Sequence, residues 1–262
     1  MTVPSSAPAA LVTGAGIRIG RAIALLLGRR GYHVAVHCNR SRDQAEAVAA
    51  EIVAAGGKAA VVQADLADHD AVMMLAGQAA ALLGPLSLLV NNASSFDYDH
   101  VATATGQVWD RQLDVNLKAP FFLSQSFAAQ LPPETPGNIV NIIDMRVWRL
   151  TPHFASYTIA KAGLWTLTQT LAMALAPRIR VNGIGPGPVL PSPRQTQEQF
   201  DRQWSSTPLQ RGAHPEEIAA AVGFLLDAQA MTGQMIALDG GQHLPSHQRG
   251  GPLSSGPAGL EE

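Results

Sequence analysis

Tyr157 and Lys161 are the pair in this 262-residue sequence whose types and spacing most directly suggest chemistry. They lie four residues apart in a segment whose apolar spacing predicts a helix over 156–175, so both side chains share one helix face. A phenol with an ordinary pKa of about 10 is a slow acid or base near neutrality, and a neighbouring ammonium brings it into a working range. Tyr and Lys at this spacing also occur by chance in many helices. The pair carries weight only in company.

A second candidate is the run Thr13-Gly14-Ala15-Gly16-Ile17-Arg18-Ile19-Gly20, between an apolar stretch at 9–12 and a helical pattern at 21–29. Glycines there let the backbone turn tightly and approach a pyrophosphate, whose charge is met by free N–H groups at the helix start. The common dinucleotide fingerprint has glycine where Ile19 stands. The next apolar run leads into His37-Cys38-Asn39-Arg40-Ser41. An NAD site has an acid there for the ribose 2′-hydroxyl; the first acid is Asp43, which reads as a cap of the following helix. Arg40, with Asn39 and Ser41, suits a 2′-phosphate through a charge-assisted fork. NADP(H) is the expected cofactor.

The elements that must position these residues alternate along the chain. Apolar runs at 9–12, 34–37, 59–63, 86–90, 139–143, 179–184 and 235–238 read as strands buried on both faces, with Ala- and Leu-rich helical patterns such as 21–29 and 44–55 between them. That alternation implies right-handed crossovers and a parallel sheet of about seven strands with helices on both faces, an α/β fold of the Rossmann type. Such a sheet binds its ligand where strand order reverses. Residues 1–244 read as one domain without internal repeats; 187–212, rich in Pro and polar residues, reads as a substrate loop, and 245–262 as a disordered tail.

Composition narrows the function classes. At 47% hydrophobic and 15% charged residues the chain suits one globular domain, and a formal net charge of −2 gives no reason to expect nucleic acid or an anionic membrane as partner. A single cysteine, Cys38, excludes an internal disulfide or a Cys-based metal site. The histidines show no ligand spacing, so no metal is expected. No signal-peptide pattern or membrane-length apolar run is present, and a cytoplasmic protein is the natural expectation.

Across almost this whole length the sequence resembles the short-chain dehydrogenase/reductase family. Thr13 to Gly20, with Arg18 and Ile19, stands at that family's glycine-rich turn, Asp65-Leu66 at its adenine-contacting pair, and Asn91-Asn92-Ala93 at the motif after the fourth strand. Asn116 matches its helical asparagine, Tyr157 and Lys161 its catalytic pair, Pro186-Gly187 the motif beside the nicotinamide, and Asp239-Gly240-Gly241 the end of the last strand. The resemblance implies that Asn116 helps pass protons towards Lys161, that Lys161 holds the nicotinamide ribose, and that four copies assemble as a homotetramer.

The departures are more telling. Arg18 replaces a glycine, Asp144 stands where the family has a serine thirteen residues before the tyrosine, Ser94-Ser95-Phe96 follows the fourth-strand motif, and Pro191 lies near the place of a frequent threonine. All four, with Thr207-Pro208-Leu209-Gln210-Arg211, resemble the pteridine reductase branch. This implies dihydromonapterin, dihydrobiopterin or dihydrofolate as substrate. Phe96 would stack on the flat pterin, Ser94 and Arg18 would hydrogen-bond it, and Asp144 would help Tyr157 deliver a proton to a ring nitrogen. Alternatives remain open: Asp144 paired with Arg146 or Arg149 as a structural acid, a carbonyl reductase of the same fold, or a non-catalytic NADP-binding module.

Overall fold

All seven apolar runs become strands, because helices cover both faces of the sheet and bury most of their side chains. In the computed structural model, which describes residues 7–192 and 195–245, they are β1 (Ala9–Val12), β2 (His33–Cys38), β3 (Ala59–Gln63), β4 (Leu86–Asn91), β5 (Gly137–Ile142), β6 (Ile179–Pro186) and β7 (Met235–Leu238). They form one parallel sheet in the order β3-β2-β1-β4-β5-β6-β7. The order reverses between β1 and β4, which opens the ligand crevice at their carboxyl ends.

Among the described residues eight α-helices accompany them: α1 (Arg18–Arg29), α2 (Arg42–Ala54), α3 (His69–Leu83), α4 (Gly106–Leu113), α5 (Ala119–Gln130), α6 (Ala155–Leu175), α7 (Gln197–Ser205) and α8 (Pro215–Asp227). One core lies on the side of α1, α2 and α8, around Ile23, Leu27, Val36, Val48, Ile218 and Val222. The other lies on the opposite face, around Leu11, Leu75, Leu89, Leu123, Phe127 and Ile139. Each fully buried aliphatic or aromatic side chain contributes roughly 1.5–3 kcal/mol relative to exposure. The sheet is thereby a rigid base for the loops at its carboxyl edge.

The elements differ from the sequence reading at their ends. Helix α1 begins at Arg18, inside the stretch read as turn. Asp43 does not cap α2: the cap position is Ser41, with no side-chain cap bond, and Asp43 sits within the first turn where its charge still favours the helix dipole. The 187–212 segment is not all loop, since Thr196 and Gln199 form a capping box that starts α7. A 3₁₀ turn, Met145–Val147, follows β5, and a π-turn, Asp114–Lys118, joins α4 to α5. The expected tail lies outside the described residues from 246 onwards. Among the described residues no helix is long and apolar enough to cross a membrane.

Candidate active site

The glycine-rich turn is held from two sides. Gly14 has a left-handed backbone (φ +63°), which glycine adopts without strain. Its N–H donates to Nδ1 of His37 at 3.0 Å, and the Ala15 N–H donates to the His37 carbonyl at 2.8 Å. With Nδ1 accepting, Nε2 of the same ring donates to the Ala64 carbonyl (3.2 Å). Burial holds the His37 pKa down at about 4, so the ring is the neutral tautomer that this arrangement needs. Just past β4, Asn92 Nδ2 donates to the Thr13 and Gly14 carbonyls at 2.8 and 3.2 Å, and Thr13 Oγ1 accepts the N–H groups of Asn92 and Ala93. Gly20 is the glycine the close approach demands: a Cβ there would lie 2.1 Å from the Gly14 carbonyl oxygen. Ile19 instead packs against the core.

The end of β2 offers no carboxylate from His37 through Arg42, and Arg40 is exposed there. Asn39 and Ser41 are partly buried beside it. Asp65 is held below the usual carboxylate range, chiefly by the Ala67 N–H at 3.0 Å, with Arg111 at 3.6 Å and Asn39 assisting. Leu66 is buried next to it. At the far side of the crevice β6 ends at Pro186, and a Cβ on Gly187 would come within 2.7 Å of Asp239. These cradles leave room for backbone approach and supply cations, as a phosphorylated dinucleotide requires.

Helix α6 presents Tyr157 and Lys161 on one face, both buried from solvent. Tyr157 Oη donates to Asp144 Oδ2 at 2.9 Å, while Asp144 Oδ1 accepts the Arg146 N–H at 2.8 Å. Burial raises the Asp144 pKa, against the pull of Arg146 and Lys161. The Tyr157 phenol is pushed well above its ordinary value, by burial and then by Asp144. Lys161 Nζ donates to the Ile142 carbonyl (2.8 Å) and lies 5.7 Å from the Tyr157 ring centre; burial lowers its pKa to about 8. Among the charges acting on the phenol, Arg146 favours phenolate, against burial and Asp144. The Arg146 side chain bonds Thr151, and that of Arg149 the Gln242 carbonyl; among the described residues neither guanidinium hydrogen-bonds Asp144.

Asn116 sits in the π-turn, fully buried. Its Oδ1 accepts the Ser94 hydroxyl (2.8 Å) and the Ser95 N–H (3.1 Å), and Nδ2 donates to the Ser95 carbonyl (2.9 Å). Among the described residues no hydrogen bond joins Asn116 to Lys161; it fastens the 94–95 segment instead. That segment places Phe96, 41% exposed, parallel to Phe154 at 4.5 Å and edge-on to Tyr157 at 4.7 Å. Arg146 lies over the Phe154 ring at 5.1 Å. Arg18, at the start of α1, donates to the Leu190 and Pro191 carbonyls at 3.1 and 2.9 Å, joining the glycine-rich turn to the substrate loop. Trp204 of α7 closes that loop on itself by donating to the Pro188 carbonyl. Among the described residues no three His, Cys, Asp or Glu side chains gather as metal ligands.

Sequence reasoning missed His37, Phe154 and the π-turn. A histidine buried at the end of β2 gives no local sign of bonding Gly14, 23 residues earlier. The only legible hint for Phe154 is an aromatic just before a helix.

A family model described as enoyl-(acyl carrier protein) reductase matches residues 14–243. The 3-oxoacyl-[acyl-carrier-protein] reductase of Staphylococcus epidermidis is 36% identical over 240 residues, 90% of this chain and 98% of that protein. The solved structure of an alternative dihydrofolate reductase from Brucella canis, complexed with NADP, is 51% identical with a TM-score of 0.89, covering 92% of this chain and 96% of the other. Its counterpart from Brucella suis, also with NADP, is 50% identical, again with a TM-score of 0.89, covering 92% and 97%. The glycine-rich crevice, the Tyr157–Lys161 face and these likenesses agree: the chain belongs to the short-chain dehydrogenase/reductase family.

Proposed function

We propose that the protein is an NADPH-dependent reductase of a dihydropterin, of the size of dihydromonapterin, dihydrobiopterin or dihydrofolate. The observation that carries this reading is the 2.9 Å hydrogen bond from Tyr157 to Asp144. A serine at this place stays neutral and polarises a carbonyl, whereas a buried carboxyl beside a phenol can pass a proton to a ring nitrogen. The alternative dihydrofolate reductases from Brucella, half identical to this chain, support it.

NADP(H) bound in the crevice supplies the hydride. Arg40, with Asn39 and Ser41, would hold the 2′-phosphate end; Gly14, Asn92 and Ala93 would border the pyrophosphate, Asp65 and Leu66 the adenine, and Pro186 and Gly187 the nicotinamide. Lys161, one helical turn from Tyr157, would hold the nicotinamide ribose. Phe96 gives the substrate a flat apolar surface, Ser94, whose hydroxyl proton goes to Asn116, offers it an acceptor, Arg18 offers it a donor, and Arg18 also keeps the loop near the turn. Tyr157 donates to the substrate nitrogen, and Asp144 helps restore the lost proton. Reduction of one C=N bond thus takes one hydride and one proton.

The 36% identity to a 3-oxoacyl reductase favours a second reading, a carbonyl reductase on the same frame. Following NADPH oxidation with a panel of dihydropterins, dihydrofolate, 3-oxoacyl thioesters and simple ketones separates the two. Turnover of ketones with none of pterins removes the pterin reading. The same proposal includes a homotetramer, which light scattering on the purified protein checks.

A further inference from the structure

Helix α6 carries the proton donor yet lacks a cap of its own. Its cap position is Phe154, in the left-handed region (φ 58°, ψ 50°), with a side chain that cannot accept a hydrogen bond. The N–H that a capping side chain normally takes, at the second helical residue, belongs here to Ser156. It is accepted by Asp99, whose two carboxylate oxygens lie 3.3 and 3.2 Å away, 57 residues earlier in the chain. Asp99 is 1% exposed, and its own carbonyl takes the Phe154 N–H at 2.7 Å. The next residue after Ser156 is Tyr157.

Asp99 lies three residues beyond Phe96, and the two segments meet repeatedly between these points. Phe96 stacks on Phe154 at 4.5 Å, and Tyr98 both stacks on His153 and shares a 3.1 Å hydrogen bond with its Nδ1. Asp99 then receives Phe154 and Ser156. A local Asp or Ser cap would serve the helix end alone. Taking the cap from the 96–100 segment does something a local cap cannot: it fixes the aromatic platform against the helix turn that bears the phenol. A hydride acceptor resting on Phe96 must present one nitrogen to Tyr157, and reaction falls steeply with misplacement of about 1 Å.

We infer that Asp99 is a positioning residue for the reaction, a cap supplied from the substrate segment that sets the distance and angle between Phe96 and Tyr157. The inference rests on the reading of Tyr157 as proton donor.

The test compares Asp99→Asn, Asp99→Glu and Asp99→Ala in the full chain, with rates expressed per NADPH-binding site from fluorescence titration. Asparagine keeps the acceptor at the same reach, glutamate keeps the charge but is one methylene longer, and alanine removes both. The expected result is kcat falling at least about 10-fold for Asp99→Ala, with a raised KM for the second substrate and NADPH Kd within twofold. Asp99→Asn should retain more kcat than Asp99→Glu, although Glu preserves the charge at the helix start. Wild-type kcat and KM in both Asp99→Asn and Asp99→Glu, or the reverse order, overturns the inference, and so does an Asp99→Ala protein that loses only melting temperature. If Asp99→Ala does not fold, the Asn–Glu order decides. Should the unmutated enzyme reduce ketones and ignore pterins, the same order is read with a ketone, so the pterin reading and the positioning role fail separately.

Discussion

Replacing Asp144 by serine takes away a carboxylate that accepts from Tyr157 at 2.9 Å and from the Arg146 N–H at 2.8 Å. A hydrogen bond to a charged acceptor contributes roughly 1.5–3 kcal/mol, which is about 10- to 150-fold if it is strongest at the transition state. Loss of a proton-relaying group adds to this, and general acid–base groups are worth about 10²–10⁴-fold. The expected fall in pterin turnover is therefore on the order of 10²–10⁴. Stability should change less, because removing the two bonds also removes a buried carboxylate whose desolvation already raises its pKa. The pH dependence has a definite sign. If Asp144 must hold a proton to pass it on, the rate of the unmutated enzyme declines as pH climbs through the raised, shared pKa of the Asp144–Tyr157 pair. Asp144→Ser should remove that limb. Stopped-flow NADPH oxidation across pH, with NADPH Kd and Tm on the same samples, reads all three quantities. A mutant that reduces dihydropterin at the original rate per folded molecule, with only its Tm lowered, refutes the relay and leaves Asp144 a structural acid.

Arg40→Ala should weaken NADPH by roughly 1.5–3 kcal/mol while leaving NADH nearly unchanged, the loss of one charge-assisted phosphate contact; equal affinities for both cofactors in the unmutated protein contradict it. Gly20→Ala should abolish cofactor binding, because its Cβ would sit 2.1 Å from the Gly14 carbonyl and 2.6 Å from Asn92 Nδ2; calorimetric titration with NADPH checks this, and unaltered Kd is the contrary result. His37, held at about 4 in the folded chain against about 6.5 unfolded, binds its proton more readily in the unfolded state. Its contribution is present above pH 6.5 and lost as pH falls towards 4, about 2 kcal/mol between pH 7 and pH 5. Denaturant unfolding at both values should show that loss in the wild type and a flatter dependence in His37→Gln; identical slopes refute it.

Strands were legible because the sheet is covered on both faces, so short runs such as Leu86 to Val90 could hardly be anything else in this setting. Tyr157, Lys161 and Arg40 stood out as candidates because their chemistry is written in type and short spacing. Helix starts were less so. Arg18 looked like turn because glycines surround it, and Asp43 looked like a cap because composition does not tell the cap position from the first turn. What escaped entirely depends on tertiary contacts: His37 reaching Gly14 across β1 and β2, and Asp99 reaching Ser156 across 57 residues. Neither relation has a local pattern to read.

The π-turn at Asp114–Lys118 lies within one continuous helical run from α4 into α5. Such a turn is an ordinary helix that has taken in one residue more than its bonding ladder accommodates. In an α-helix one extra residue would rotate everything downstream by about 100°; here the wider turn takes that residue up. Loss of one residue from 114–118 would therefore let the run close into an uninterrupted α-helix while the face carrying Leu123 and Phe127 stays where it is. What would change is the widened stretch itself, and with it the hold of Asn116 on Ser94 and Ser95. The irregular turn is thus separable from the core behind it: the packing tolerates its loss, and the crevice does not.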